Sequence, residues 1–172
     1  ISDFSSVQDS KLLLLTLNPV FGENTPEQIA AAFDNDQVPQ TWKIGDTIEI
    51  TLKNNTKLLM RLSDRQNRYE FSDGESVNSF VLEAVSFPID ENGEYILKEM
   101  NVNSKTYTTP SGQTITGYNA GGWGNSDLRE YLNGEFIEEL LPDNWKKCLA
   151  SVRIPFMNGG NQTGISLEYS DD

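Results

Sequence analysis

"TWKIGDTIEITLKNNTKLLMRLSD", residues 41–64, holds two runs in which apolar and polar side chains alternate. Ile48, Ile50 and Leu52 form the first; Leu58, Met60 and Leu62 form the second, beyond the polar "KNNTK". A period of two places each triplet on one face of a strand. Asn54 and Asn55 stand where a tight turn needs residues that tolerate positive φ. The reading is a β-hairpin with both triplets on one buried face of an antiparallel pair. Ile44, Gly45 and Asp46 make the bend that starts its first strand.

Upstream, "TPEQIAAAF" sets Thr25 at the N-cap, Pro26 at the first helical position and Gln28 at the third. That is a capping box, and Ile29, Ala32 and Phe33 then share an apolar face, so a helix over about 26 to 34 is expected. The cluster Leu12 to Leu15, with Leu17, is too short for periodicity to separate helix from strand. Downstream, "NSFVLEAVSF" reads as a third strand with Phe80, Leu82 and Ala84 on one face, and "EYILKEM" as a fourth. Residues 101 to 119 are polar and rich in Asn, Ser, Thr and Gly, and read as a long loop.

The last third returns to helical spacing. Leu128, Tyr131 and Leu132 form one face, with Asn133-Gly134 as a helix stop. Phe136, Ile137, Leu140 and Leu141 form a second face, and Trp145, Cys148, Leu149 and Val152 a third. The expected fold is α+β: an antiparallel, hairpin-based sheet with several short helices and long loops. Residues 1–172 read as a single domain, with an N-terminal helical part (1–40), a β-rich part (41–100) and a loop and helical part (101–172). The opening at Ile1 and the ending "SLEYSDD" suggest a piece excised from a longer chain.

Composition removes whole classes of function. Thirteen basic against 26 acidic residues give a net charge of −13, which opposes nucleic acid and anionic membrane surfaces. No apolar run is long enough to insert into a bilayer. The chain has no histidine and one cysteine, Cys148. Histidine-based nucleophile systems and cysteine-based zinc clusters are therefore excluded, and no metal or cofactor is expected. Cys148 lies at helical spacing between Trp145 and Leu149, as an inert, buried thiol would. "DENGEY", from Asp90, fails the EF-hand pattern, since its sixth and twelfth positions are Tyr95 and Asn101. A plain Asn-Gly turn fits it better.

"NAGGWGNSDLREYLNG", residues 119–134, is the densest stretch of unusual residues. A structural reading covers most of it. Gly121 and Gly122 permit positive φ, Asn125 or Ser126 caps a helix, Asp127 complements its dipole and Arg129 ties it elsewhere. A functional reading makes Tyr118, Asn119 and Trp123 a ligand-binding platform on a loop-rich surface.

The pattern G-G-W-x-x-S-x-x-R-x-x-L-N, followed by Leu141-Pro142, resembles an uncharacterised bacterial domain family. Its members occur in prophage tail-associated proteins and in secreted or surface proteins of gut Firmicutes. The matching positions are Gly121, Gly122, Trp123, Ser126, Arg129, Leu132, Asn133, Leu141 and Pro142. "WKIGDTIEITL" and "NRYEFSDG" (67–74) extend the likeness over roughly residues 25 to 160. Relatives often carry a His-Asp pair after the hairpin, and "LSDRQNRYEF" has none. The resemblance implies an extracellular, cell-surface or virion-associated setting and supplies no catalytic residue. By analogy of fold, a GGW segment beside short helices is similar to C-type-lectin-like domains.

The expectation is a non-catalytic binding or assembly module. Its partner would be a surface glycan or protein, or neighbouring subunits of a virion or surface assembly. The alternatives are a purely structural scaffold domain and a carboxylate-dependent glycoside hydrolase.

Overall fold

In the computed structural model, which describes residues 11–65, 70–71, 79–158 and 167–172, the alternating triplets pair as read. Thr47–Thr51 (β1) and Lys57–Asp64 (β2) run antiparallel, with Ile48 opposite Met60 and Ile50 opposite Leu58. Ile48, Ile50, Leu52, Leu58 and Leu62 are buried, and Met60 is half-buried. Asn55 takes φ 66° in the turn, while Asn54 Oδ1 accepts from the N–H (3.2 Å) and the hydroxyl (2.7 Å) of Thr56. The bend at 44–46 extends the pairing, because Gly45 N–H donates to Leu62 O and Leu62 N–H to Asp46 O, both at 2.8 Å.

The described residues gather into two compact units that interleave along the sequence. The first draws on 11–65, 79–96 and 142–149, and the second on 70–71, 97–141, 150–158 and 167–172. The first holds the hairpin, extended by Val81–Ala84 (β4) in the order β1-β2-β4. The leucine cluster is helical over 11–15 (α1). Pro26–Asp34 (α2) follows with its capping box formed: Gln28 N–H donates to Thr25 Oγ (3.2 Å) and Thr25 N–H to Gln28 Oε1 (2.9 Å). Asp143–Lys146 (α4) packs against α2 and carries the buried Trp145.

Trp42, fully buried, centres this core. Phe21 meets it edge-on at 5.4 Å, Phe33 lies tilted beside it at 6.5 Å, and its indole N–H donates to Asn18 O (3.0 Å). Asn24 supplies the buried polar counterpart. Its Oδ1 accepts from Asn18 N–H, and its amide donates to the carbonyls of Asn18, Val20 and Phe21. Asn24→Ala is expected to cost about 1 to 3 kcal/mol, since those buried groups lose their partner. Chemical denaturation measures this, and an unchanged midpoint would refute it.

Three expectations need correction. Ala84 is exposed and does not share the buried face; Phe80 does turn inward and stacks on Phe33 at 4.7 Å. "EYILKEM" forms no strand, only the bridge between Ile89 and Tyr95. Asp90 is the reason: its Oδ1 accepts from the N–H groups of Asn92 and Glu94 (both 2.9 Å) and closes a compact turn at Asn92-Gly93. Val152 lies in a strand of the second unit, outside any helix.

In the second unit Glu70–Phe71 (β3), Val152–Met157 (β7) and Leu167–Asp171 (β8) form a sheet in the order β3-β7-β8. The polar stretch read as a loop is mostly a hairpin. Lys105–Thr108 (β5) pairs with Thr114–Gly117 (β6), Tyr107 facing Ile115. Threonines at alternate positions favour strands, and Thr109 to Gly112 supplies the turn. Asp127–Tyr131 (α3) then runs into a π-helical stretch, Leu132–Leu140, so Asn133-Gly134 ends nothing. Asn133 spends its amide on Arg129 O (3.3 Å) and on Asp172, and the backbone widens to the bond from Leu141 N–H to Phe136 O. The two units together make the fold α+β with antiparallel sheets. "NRYEFSDG" lies outside the described residues, apart from Glu70 and Phe71.

Candidate functional site

The GGW motif is built around one carboxylate. Gly121 (φ +84°) and Gly122 (φ +55°) turn the chain sharply, and a Cβ on Gly122 would meet Met157 O at 1.9 Å. The turn delivers Trp123, half-buried, so that its indole N–H donates to Asp172 Oδ2 (3.0 Å). Ser126 caps α3, its hydroxyl oxygen accepting Arg129 N–H (3.1 Å). One turn of helix on, Arg129 Nε donates to Asp172 Oδ1, and Asn133 donates to the same oxygen (2.7 Å). Ser170 adds its hydroxyl to Oδ2. Burial opposes charge on Asp172, but the bonds from Ser170 and Trp123 and the Arg129 guanidinium outweigh it, and its carboxyl sits below the usual range.

The backbone of Asp172 is anchored as well, exchanging both hydrogen bonds with Val152 (2.7 and 2.9 Å). The spacing W-x-x-S-x-x-R-x-x-x-N thus serves a folding purpose. It aims an indole, a guanidinium and an amide at the residue after β8.

A second clamp lies at the N-terminus of α3. Asn101 donates to Tyr118 O (2.6 Å) and accepts from Asp127 N–H (3.0 Å). Asp127 takes Val102 N–H (2.9 Å) and pairs with Lys105. The hydrogen bond from Lys105, helped by Val102 N–H, holds the Asp127 carboxyl below its ordinary range. Beside it, the Tyr107 hydroxyl donates to Glu168, whose other oxygen accepts from buried Asn158 (2.9 Å). Burial first, then the bond to Glu168 and its charge, push Tyr107 up to about 12.

The three binding candidates, neighbours in sequence, have different environments. Tyr118 is 63% exposed with its backbone fixed by Asn101, and Asn119 is exposed with its carbonyl accepting Gly122 N–H (3.0 Å). Trp123 has its polar edge committed to Asp172. Sequence reasoning missed Asn101, Glu168 and Asp172. Asp172 lies 43 positions from Arg129, and no local spacing could connect them. Cys148, in the first unit, is half-buried; burial first, then the charges of Glu27 and Asp34, raise its thiol above the ordinary value, away from nucleophilic use.

Among the described residues no cluster of three or more metal-binding side chains occurs, and no helix is long and apolar enough to cross a membrane. Residues 92–171 match the model of a family described as "Domain of unknown function (DUF6273)". The matched span takes in the whole GGW pattern with Leu141-Pro142, and it leaves out "WKIGDTIEITL". No curated protein and no solved structure gave a match.

Proposed function

We propose that this chain is a non-catalytic recognition module, with a binding face built from Tyr118, Asn119 and the adjoining β5–β6 hairpin. The observation that carries this is the contrast within a few residues. Trp123, Arg129 and Asn133 of the motif are turned on Asp172, while Tyr118 stands in solvent on a backbone pinned by Asn101. A fixed, exposed tyrosine offers contact area at little entropic cost. Asp127 and Asp172 are engaged by donors of the fold itself, Lys105 and Val102 N–H for the first and Trp123, Arg129, Asn133 and Ser170 for the second, which supports a structural use of both acids.

The setting that goes with this reading is an extracellular one, on a bacterial cell surface or in a phage-associated protein. A C-type-lectin-like use of the loop face belongs to the same proposal. The scaffold reading draws on the Asp172 cluster, which stabilises the fold without needing a ligand. Tyr118→Ala separates the two. The variant is expected to keep the wild-type circular dichroism and melting temperature, and to lose attachment to host cells or to an array of surface glycans and proteins. Wild-type attachment by Tyr118→Ala sinks the assignment of this face. Association of the full chain with copies of its parent assembly alone replaces recognition by scaffolding.

A further inference from the structure

Asparagine stands directly before glycine three times in the chain, at Asn92-Gly93, Asn133-Gly134 and Asn158-Gly159. Glycine has no Cβ, so its backbone nitrogen can approach the preceding side-chain amide with little hindrance. The fold treats the three asparagines differently. Asn133 lies in the π-helical stretch, and its amide donates to Arg129 O (3.3 Å) and to Asp172 (2.7 Å). Asn158 is fully buried, with its amide on Glu168 (2.9 Å). Asn92 is exposed in the turn between Ile89 and Tyr95, and its amide donates only to Asp90 Oδ2 among the described residues, at 3.3 Å.

The bonds on Asn133 and Asn158 must break before either side chain can rotate onto the next backbone nitrogen. At Asn92 the space is open: a Cβ on Gly93 would meet nothing within 4 Å, and Gly93 N–H is held by one turn bond, to Asp90 O at 3.1 Å. We propose that Asn92-Gly93 is a site of spontaneous modification, where Asn92 converts to aspartate and isoaspartate in the folded chain while Asn133 and Asn158 persist. A solvent base takes the Gly93 amide proton, and the nitrogen attacks Asn92 Cγ. The new C–N bond closes a succinimide ring, and the side-chain nitrogen leaves as ammonia. Water then opens the ring at Cγ to give aspartate, or at the main-chain carbonyl to give isoaspartate. One water is consumed, one ammonia is released and nothing is oxidised.

Either product alters the turn. A carboxylate replaces the amide that now donates to Asp90, in a segment already acidic at Asp90, Glu91 and Glu94. Isoaspartate also routes the main chain through Cβ and Cγ, which lengthens it by one carbon. The bonds that close the turn, Gly93 N–H to Asp90 O and Asp90 N–H to Glu94 O (3.0 Å), depend on that length. The site belongs to the first unit and Tyr118 to the second, so it stands apart from the recognition reading.

The test ages the full chain in mildly alkaline buffer, folded and in denaturant, and maps its peptides by mass spectrometry. An isoaspartate-specific methyltransferase supplies a second readout. In the folded chain Asn92 is expected to react at least about tenfold faster than Asn133 or Asn158, since those two react only from opened states. In denaturant the three rates should converge, because the same dipeptide is then equally free at each place. Asn92→Gln, whose longer side chain needs a larger ring, should keep the wild-type circular dichroism and lose the methyltransferase label. Folded-state reaction at Asn133 or Asn158 as fast as at Asn92 overturns the inference. So does an Asn92 that stays intact in the folded chain while it reacts in denaturant, and so does a label that persists in Asn92→Gln.

Discussion

Gly122→Ala is expected to destabilise the second unit by about 2 to 5 kcal/mol, the sum of left-handed strain and overpacking at one atom. Two independent effects meet there. The residue sits at φ +55°, where a Cβ is unfavourable in any surroundings. The added Cβ would also lie 1.9 Å from Met157 O and 3.0 Å from its carbonyl carbon, both backbone atoms of β7 that no rotamer change can move. Gly134→Ala is the matched control. It lies in the π-helical stretch with nothing within 4 Å of a new Cβ, so alanine should be neutral or gain about 0.5 to 1 kcal/mol. Thermal unfolding of the two variants, each beside wild type, decides the matter. Equal melting temperatures would mean that the turn yields and that the GGW pattern is not fixed by this close approach.

What the sequence disclosed about the fold follows the range of the interactions involved. The β1–β2 hairpin and α2 were legible because their signals are local: alternation over five residues, a turn at Asn54-Asn55, a capping box at Thr25. The β5–β6 hairpin was equally local and was still misread. Its strands are made of threonine, and polar composition outweighed a β-branched alternation around Tyr107 and Ile115. β7 and β8 were missed for another reason. Val152, Ile154 and Phe156 are half-buried on one face, but Pro155 interrupts the run and its partner strand lies beyond residues 159–166.

The candidate site divides along the same line. Ser126 as the cap and Gly121-Gly122 as the turn follow from neighbours in sequence. That Trp123, Arg129 and Asn133 share one purpose did not follow, since the purpose is supplied by Asp172 at the far end of the chain. The stretch that looked most like a site is largely the inside of a corner. The surface beside it, marked in sequence by Tyr118 and Asn119, carries the proposed contact.

Asp172→Ala should therefore be the most damaging loss of a single polar side chain in the second unit. It leaves the Trp123 indole N–H, the Arg129 guanidinium, the Asn133 amide and the Ser170 hydroxyl without their common acceptor. Removing one partner of a fully buried ion pair costs about 3 to 5 kcal/mol. Here the side chains of Arg129 and Asp172 are 26% and 12% exposed, so solvent screening reduces the expected cost to about 2 to 4 kcal/mol. Arg129→Ala should cost less, about 1 to 3 kcal/mol, because three donors still serve the carboxylate. The pH dependence carries a definite sign. The carboxyl of Asp172 is more acidic in the folded chain than in the unfolded one. Its contribution is thus complete above the ordinary carboxylate range, and it is lost as pH falls through the lower folded value. Denaturation of wild type and Asp172→Ala across a pH series should show a wide gap at neutral pH that narrows in acid. A gap that stays constant, or widens as pH falls, would show that the Asp172 charge is not what holds the motif together.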